Sequence, residues 1–81
     1  PLTYEPRALM AYLREYDGQT VLVVLNFTHR KVRLALGPEL RDAGWKLILS
    51  SKRDQMPEIK KGWLPLLGYE ASIYLREDNN N

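Results

Sequence analysis

The chain is 81 residues long, 44% hydrophobic and 27% charged, with a formal net charge of +2 and no cysteine. That length holds one small domain, which buries only about 60–65% of its unfolded surface. The balance is that of a globular protein; it excludes disulfides, thiolate metal sites and a membrane-spanning helix, and the weak basic excess does not point to nucleic acid.

The chain begins at Pro1 rather than methionine and shows no secretory signal at its start. We therefore expect a piece of a longer polypeptide. The absence of cysteine leans towards a cytoplasmic address without fixing one.

The first segment, Pro6–Tyr16, is ambiguous. Pro6 near a first turn, Gly18 past the end, and Leu9, Met10, Leu13 and Tyr16 on one face fit a helix. Its Ala, Leu, Met, Arg and Glu residues all favour helix. The rival is the first arm of a hairpin through Asp17-Gly18. A two-residue turn pairs Tyr16 with Gln19, Arg14 with Val21, Tyr12 with Val23 and Met10 with Leu25. Leu13 then meets Leu22 and Ala11 meets Val24 on the other face, near Leu9 and Asn26. Val21 to Leu25 are all apolar. Successive strand side chains point to opposite faces, so this strand asks for cover on both. A three-residue loop would exchange the partner faces.

Thr28-His29-Arg30-Lys31 reads as a turn. In Lys31–Leu36, Val32, Leu34 and Leu36 alternate with Lys31, Arg33 and Ala35, so the two cations read as the wet face of a strand. Gly37-Pro38 and Ala43-Gly44 punctuate the next stretch. In Gly44–Ser50, Trp45, Leu47 and Leu49 share one face and Lys46, Ile48 and Ser50 the other, which assigns Trp45 to the core. Met56-Pro57 marks another turn, and Trp63–Leu67 is a short strand that Pro65 confines to an edge or bulge. Trp63 follows Lys60-Lys61-Gly62 in a loop and is the better candidate for an exposed aromatic. In Tyr69–Arg76, Tyr69, Ala71, Ile73 and Leu75 are expected inside, with Glu70, Ser72, Tyr74 and Arg76 outside.

Short alternating segments between frequent turn signals predict an all-β fold, a small antiparallel β-sandwich of about six to eight strands. Residues 1–76 form its single domain, and residues 77–81 a polar tail.

Catalytic groups are sparse. His29 is the only histidine and stands beside two cations in a turn. A metal cluster of the usual kind needs more imidazoles or thiols. Paired carboxylates for glycoside cleavage need a cleft, and so small a sandwich has little room for one. Ser50, Ser51 and Ser72 lack a nucleophile elbow, and no glycine loop is set to cradle phosphate. No catalytic residue, metal site or cofactor is assigned.

Three pieces carry a resemblance: the strand ending in Arg14-Glu15 with its glycine turn and Val21-Leu-Val-Val-Leu-Asn-Phe-Thr28; Trp45-Lys-Leu-Ile-Leu-Ser-Ser51; and Tyr69-Glu-Ala-Ser-Ile-Tyr-Leu75. In this order and spacing the chain resembles the C-terminal β-sandwich domain of the α-amylase superfamily, especially its α-glucosidase, oligo-1,6-glucosidase and trehalose-synthase-like members. The family often has asparagine where Ser51 stands and proline where Gly68 stands. The resemblance makes Ala8–Tyr16 a strand, against its local propensity. It also implies a neighbour, a catalytic (β/α)8 barrel that carries the reacting carboxylates; none of its motifs occurs here.

The resemblance thus implies a non-catalytic accessory domain of an enzyme that hydrolyses or transfers α-glucosides or α-glucans. One face of Thr20–Phe27 is expected to cover the sandwich core. The other, with Leu22 and Val24 and beside them Leu9, Ala11 and Leu13, is expected to meet outer loops or the barrel, or to be covered by long polar side chains of the domain itself. Left bare, that face would support self-association. The alternative function is a carbohydrate-binding module that holds α-glucan through Trp63. A nucleic-acid-binding barrel would need a continuous basic stripe, which the scattered Lys and Arg do not supply.

Overall fold

The computed structural model describes residues 9–41 and 44–78. Pro6 to Ala8, Ala43 and the tail beyond Asp78 lie outside the described residues. Among the described residues there are six strands: β1 (Leu9–Tyr16), β2 (Gln19–Asn26), β3 (Val32–Ala35), β4 (Lys46–Ser50), β5 (Trp63–Leu66) and β6 (Ala71–Glu77). A 3₁₀ turn spans Pro38–Leu40. One sheet has the order β1-β2-β6-β4 and the other is the pair β3-β5, both antiparallel. The architecture is the expected small sandwich.

The ambiguous first segment is a strand from Leu9 onward. Asp17 and Gly18 take φ of 52° and 73°, the left-handed pair that a two-residue hairpin turn requires. The turn sets the register, and every pairing expected from it is present, from Tyr16–Gln19 to Leu9–Asn26. Helix propensity, a few tenths of a kcal/mol per residue, gives way to a ladder that buries a whole face.

The core lies between the sheets. Leu34, Leu36, Leu64 and Leu66 from the short sheet and its flank meet Leu9, Leu22, Val24 and Tyr74 from the long one, with Leu40 and Trp45 closing one end. The Trp45 indole N–H donates to the Leu40 carbonyl at 2.8 Å, which satisfies its one polar atom. Val32, Leu34 and Leu36 point inward as expected, and Pro65 sits in a strand that has a single partner.

The two faces of the long sheet are the reverse of expectation. Leu9, Ala11, Leu13, Leu22 and Val24, expected on a partner-facing surface, lie on the inner face. Leu22 and Val24 are 1% and 0% exposed, and Ala11 and Leu13 pack against the cluster. In β6, Ser72 and Tyr74 are buried and Glu70 just before it is too, whereas Ala71, Ile73 and Leu75 share the outer face. The reason is that the polar inner residues are paired. The Thr20 hydroxyl donates to Asp78, and Asn26 Nδ2 donates to the carbonyls of Arg30 (2.7 Å) and Leu67 (2.9 Å). A hydrogen-bonded polar group costs little to bury, so polarity does not mark the wet side here.

β4 carries a register shift between Leu47 and Leu49. Leu47 faces Tyr74 on the inner side, while Leu49 pairs with Ile73 on the outer side and is 65% exposed. The expected shared face of Trp45, Leu47 and Leu49 therefore breaks at Ile48, as a β-bulge adds one residue to the strand. At the C-terminus the domain runs past residue 76. β6 includes Glu77, and the Asp78 amide donates to the Gly18 carbonyl at 2.7 Å.

Candidate functional site

The outer face of the long sheet is the first candidate surface. Its cross-strand rows follow from the register. Met10, Leu25 and Ala71 form one row; Tyr12, Val23, Ile73 and Leu49 the next; Arg14, Val21, Leu75 and Lys46 the third. Two rows are wholly apolar, and the third is closed at each end by a cation. Met10, Tyr12 and Leu49 are 38%, 47% and 65% exposed, and the central valines, Leu25 and Ile73 are half-buried by their neighbours. Phe27, one step beyond β2 in the same alternation, is exposed as well. A contiguous apolar sheet face open to water is unusual for a free domain.

A buried polar hub ties the loops to the sheets. Glu70 has a fully buried side chain, and its two carboxylate oxygens each accept the Arg53 Nε–H at 3.1 Å. The same carboxylate accepts the Leu67 amide at 2.8 Å and the Ser72 hydroxyl. Arg53 Nη2 goes on to donate to the Pro65 carbonyl at 3.2 Å. One ion pair thus joins the start of β6 to β5 and fixes the Arg53 guanidinium. Tyr74 lies beneath it; burial first, and then the Glu70 charge, push its phenol up to about 12. Its hydroxyl has no hydrogen bond of ordinary geometry.

The second candidate surface lies on the outer side of β3 and β5. Arg33 pairs with Pro65 across the strands, and Trp63 with Ala35. The Arg33 guanidinium sits 4.5 Å from the centroid of the Trp63 ring. Lys61 and Gly62, with φ of 52° and 81°, make a second tight turn, closed by the Lys60–Trp63 bridge. Strand pairing sets this basic turn at the Ala35–Leu36 end of β3, with Arg33 midway along the pair and Lys31 at its other end. The result is an open groove of about 820 Å³ lined by Lys31, Arg33, Arg53, Lys60, Lys61 and Trp63, with Glu58 as its one carboxylate. Trp63 is half-buried and is the groove's only aromatic among the described residues.

Sequence reasoning found Trp63 but not the groove, because its walls come from segments far apart in sequence. It also missed Glu70 and Arg53, although Tyr69-Glu70-Ala71 stood out as a motif. His29 is exposed in the loop before β3. Among the described residues no group of three or more His, Asp and Glu is placed to hold a metal.

Residues 2–73 match the model of the family described as maltogenic amylase, C-terminal domain. Among solved structures, a MutB mutant from crystals soaked with trehalulose is 28% identical, with a TM-score of 0.68 over 84% of this chain. A second MutB mutant, in complex with the substrate sucrose, is 26% identical, with a TM-score of 0.63 over 85% of this chain. In both cases the match spans 12% of the MutB chain.

Proposed function

The chain belongs to the maltogenic amylase C-terminal domain family, and from that premise we propose that it is the non-catalytic accessory domain of an enzyme acting on α-glucans or α-glucosides, docked on a catalytic (β/α)8 barrel. The observation that carries this reading is the outer face of β1-β2-β6-β4, with its apolar rows around Val23 and Ile73. A barrel covering it would bury side chains that the isolated domain leaves in water, at about 25 cal/mol per Å² removed. That contribution stabilises both partners without touching substrate. The MutB chains, of which this domain matches 12%, leave ample length for such a barrel.

The test separates folding from docking. Val23→Asp with Ile73→Asp places two charges at the centre of the outer face. The domain should keep its dispersed amide spectrum and lose co-purification with the barrel of its own enzyme, expressed as a separate polypeptide. Undiminished co-purification would sink the proposal.

The second reading, α-glucan held at Trp63, is favoured by the groove beside that ring. Against it, the Arg33 guanidinium already stacks on Trp63, and a single aromatic makes a poor platform for successive sugar rings.

A further inference from the structure

The groove on the short sheet collects five of the chain's twelve Lys and Arg residues against one carboxylate. The whole chain carries only +2, so the remainder is acidic on balance. Neither basic motif is notable alone: Lys31 and Arg33 look like the wet side of a strand, and Lys60-Lys61 like a solvated turn. The β3–β5 register sets them at the two ends of one concavity, with Arg33 between. Arg53 also lines the groove, but its charge is paired with the buried Glu70 carboxylate, which leaves four cations there without a buried counter-charge. The Glu58–Lys60 pair is 3.9 Å long and three-quarters exposed at each end, which leaves Lys60 nearly its full charge in water. The floor is apolar, made by Trp63, Pro65 and Pro57.

We propose that this groove binds a phosphorylated ring compound, a sugar phosphate or a nucleotide, with its phosphates on Lys60 and Lys61 and its ring against Pro57 and the Arg33 guanidinium that covers Trp63. Several cations around one small concavity raise the local concentration of an anion well above that on a flat surface. Arg33 offers a planar guanidinium for stacking and forked donation, whereas Arg53 has its Nε and Nη2 committed to Glu70 and the Pro65 carbonyl. An apolar floor rewards a ligand with a ring over a bare anion. The groove and the apolar sheet face lie on opposite sides of the sandwich, so a ligand here does not compete with a docked barrel. The inference stands whether or not docking takes place.

The experiment is an amide-resolved NMR titration of the isotope-labelled chain at low salt with adenosine diphosphate, glucose 6-phosphate, inorganic pyrophosphate and maltotriose. Saturable shifts at Val32, Lys61 and the Trp63 indole with either organic phosphate are expected. They should weaken at least about fivefold in Lys31→Glu/Lys61→Glu and again in moderate salt, where exposed charges are screened. Both substitutions are at exposed positions, and the unperturbed core resonances serve as the check on folding. Binding of adenosine diphosphate alone would identify a nucleotide site, and binding of both would identify a general organic-phosphate site. Absence of saturation with either, a charge-reversed variant that binds equally well, pyrophosphate binding as tightly as the ring compounds, or maltotriose binding at the same residues with equal strength would each overturn the proposal.

Discussion

The fold alters the chemistry of Tyr74. It is 1% exposed, and burial followed by the Glu70 carboxylate raises its phenol from 10 to about 12. A raised folded value means that the unfolded chain gives up the proton first. The stability tied to the neutral phenol is therefore complete below pH 10 and is lost as pH climbs from 10 towards 12. Two units of difference correspond to about 2–3 kcal/mol. Tyr74→Phe removes this loss and also removes a buried hydroxyl with no ordinary partner. Denaturation midpoints should match or exceed the parent's at pH 7, and the gap should widen above pH 10; parallel pH profiles would refute the assignment. Asp78 responds at the other end of the scale. The Thr20 hydroxyl, and then Arg76, hold its carboxyl below the ordinary range. A Cβ at Gly68 would overlap the His29 carbonyl. The loop before β3 can approach this closely only because the side chain is absent.

At the scale of elements, the β1–β2 hairpin was legible and the β4 strand only half so. A two-residue turn fixes a register by arithmetic, and that arithmetic holds from Tyr16 to Leu9. The turn depends on Gly18 at φ 73°. Gly18→Ala should cost about 1 kcal/mol in chemical denaturation, because a Cβ is strained in that conformation. An unchanged midpoint would show that the turn is not what holds the hairpin. The β4 bulge left no such mark. Trp45-Lys-Leu-Ile-Leu alternates cleanly on paper, and the extra residue at Ile48, which brings Leu49 opposite Ile73, shows only in the paired strands.

At the scale of the molecule, the inner and outer faces of the long sheet are nearly matched in hydrophobicity. Which one became the core is testable by moving one charge by one residue. Val24→Asp should unfold the isolated domain, since a lone carboxylate at a site 0% exposed costs several kcal/mol of a marginal total. Val23→Asp, on the opposite face, should leave it folded, with loss of stability near about 1 kcal/mol. Circular dichroism melts of the pair decide it; the opposite order would return Val24 to an outer surface. The same logic predicts that the isolated chain associates weakly at high concentration through Tyr12, Val23 and Leu49. Sedimentation velocity should show that tendency removed by Val23→Asp.

The sequence by itself determined the fold class, the hairpin register and the inward side of β3, because turn chemistry and period-two alternation are local. Its motifs also carried the family. Tertiary structure alone decided which side of β2 and β6 is interior. Thr20, Asn26, Glu70 and Ser72 could be buried only because Asp78, Leu67, Arg53 and Ser50 arrive from distant parts of the chain to bond them. It also made the basic groove, since strand pairing and not sequence sets Lys31, Arg33 and Lys61 along one concavity. Burial of polar groups and convergence of charge are properties of pairs, and a pair has no signature until both partners have been placed.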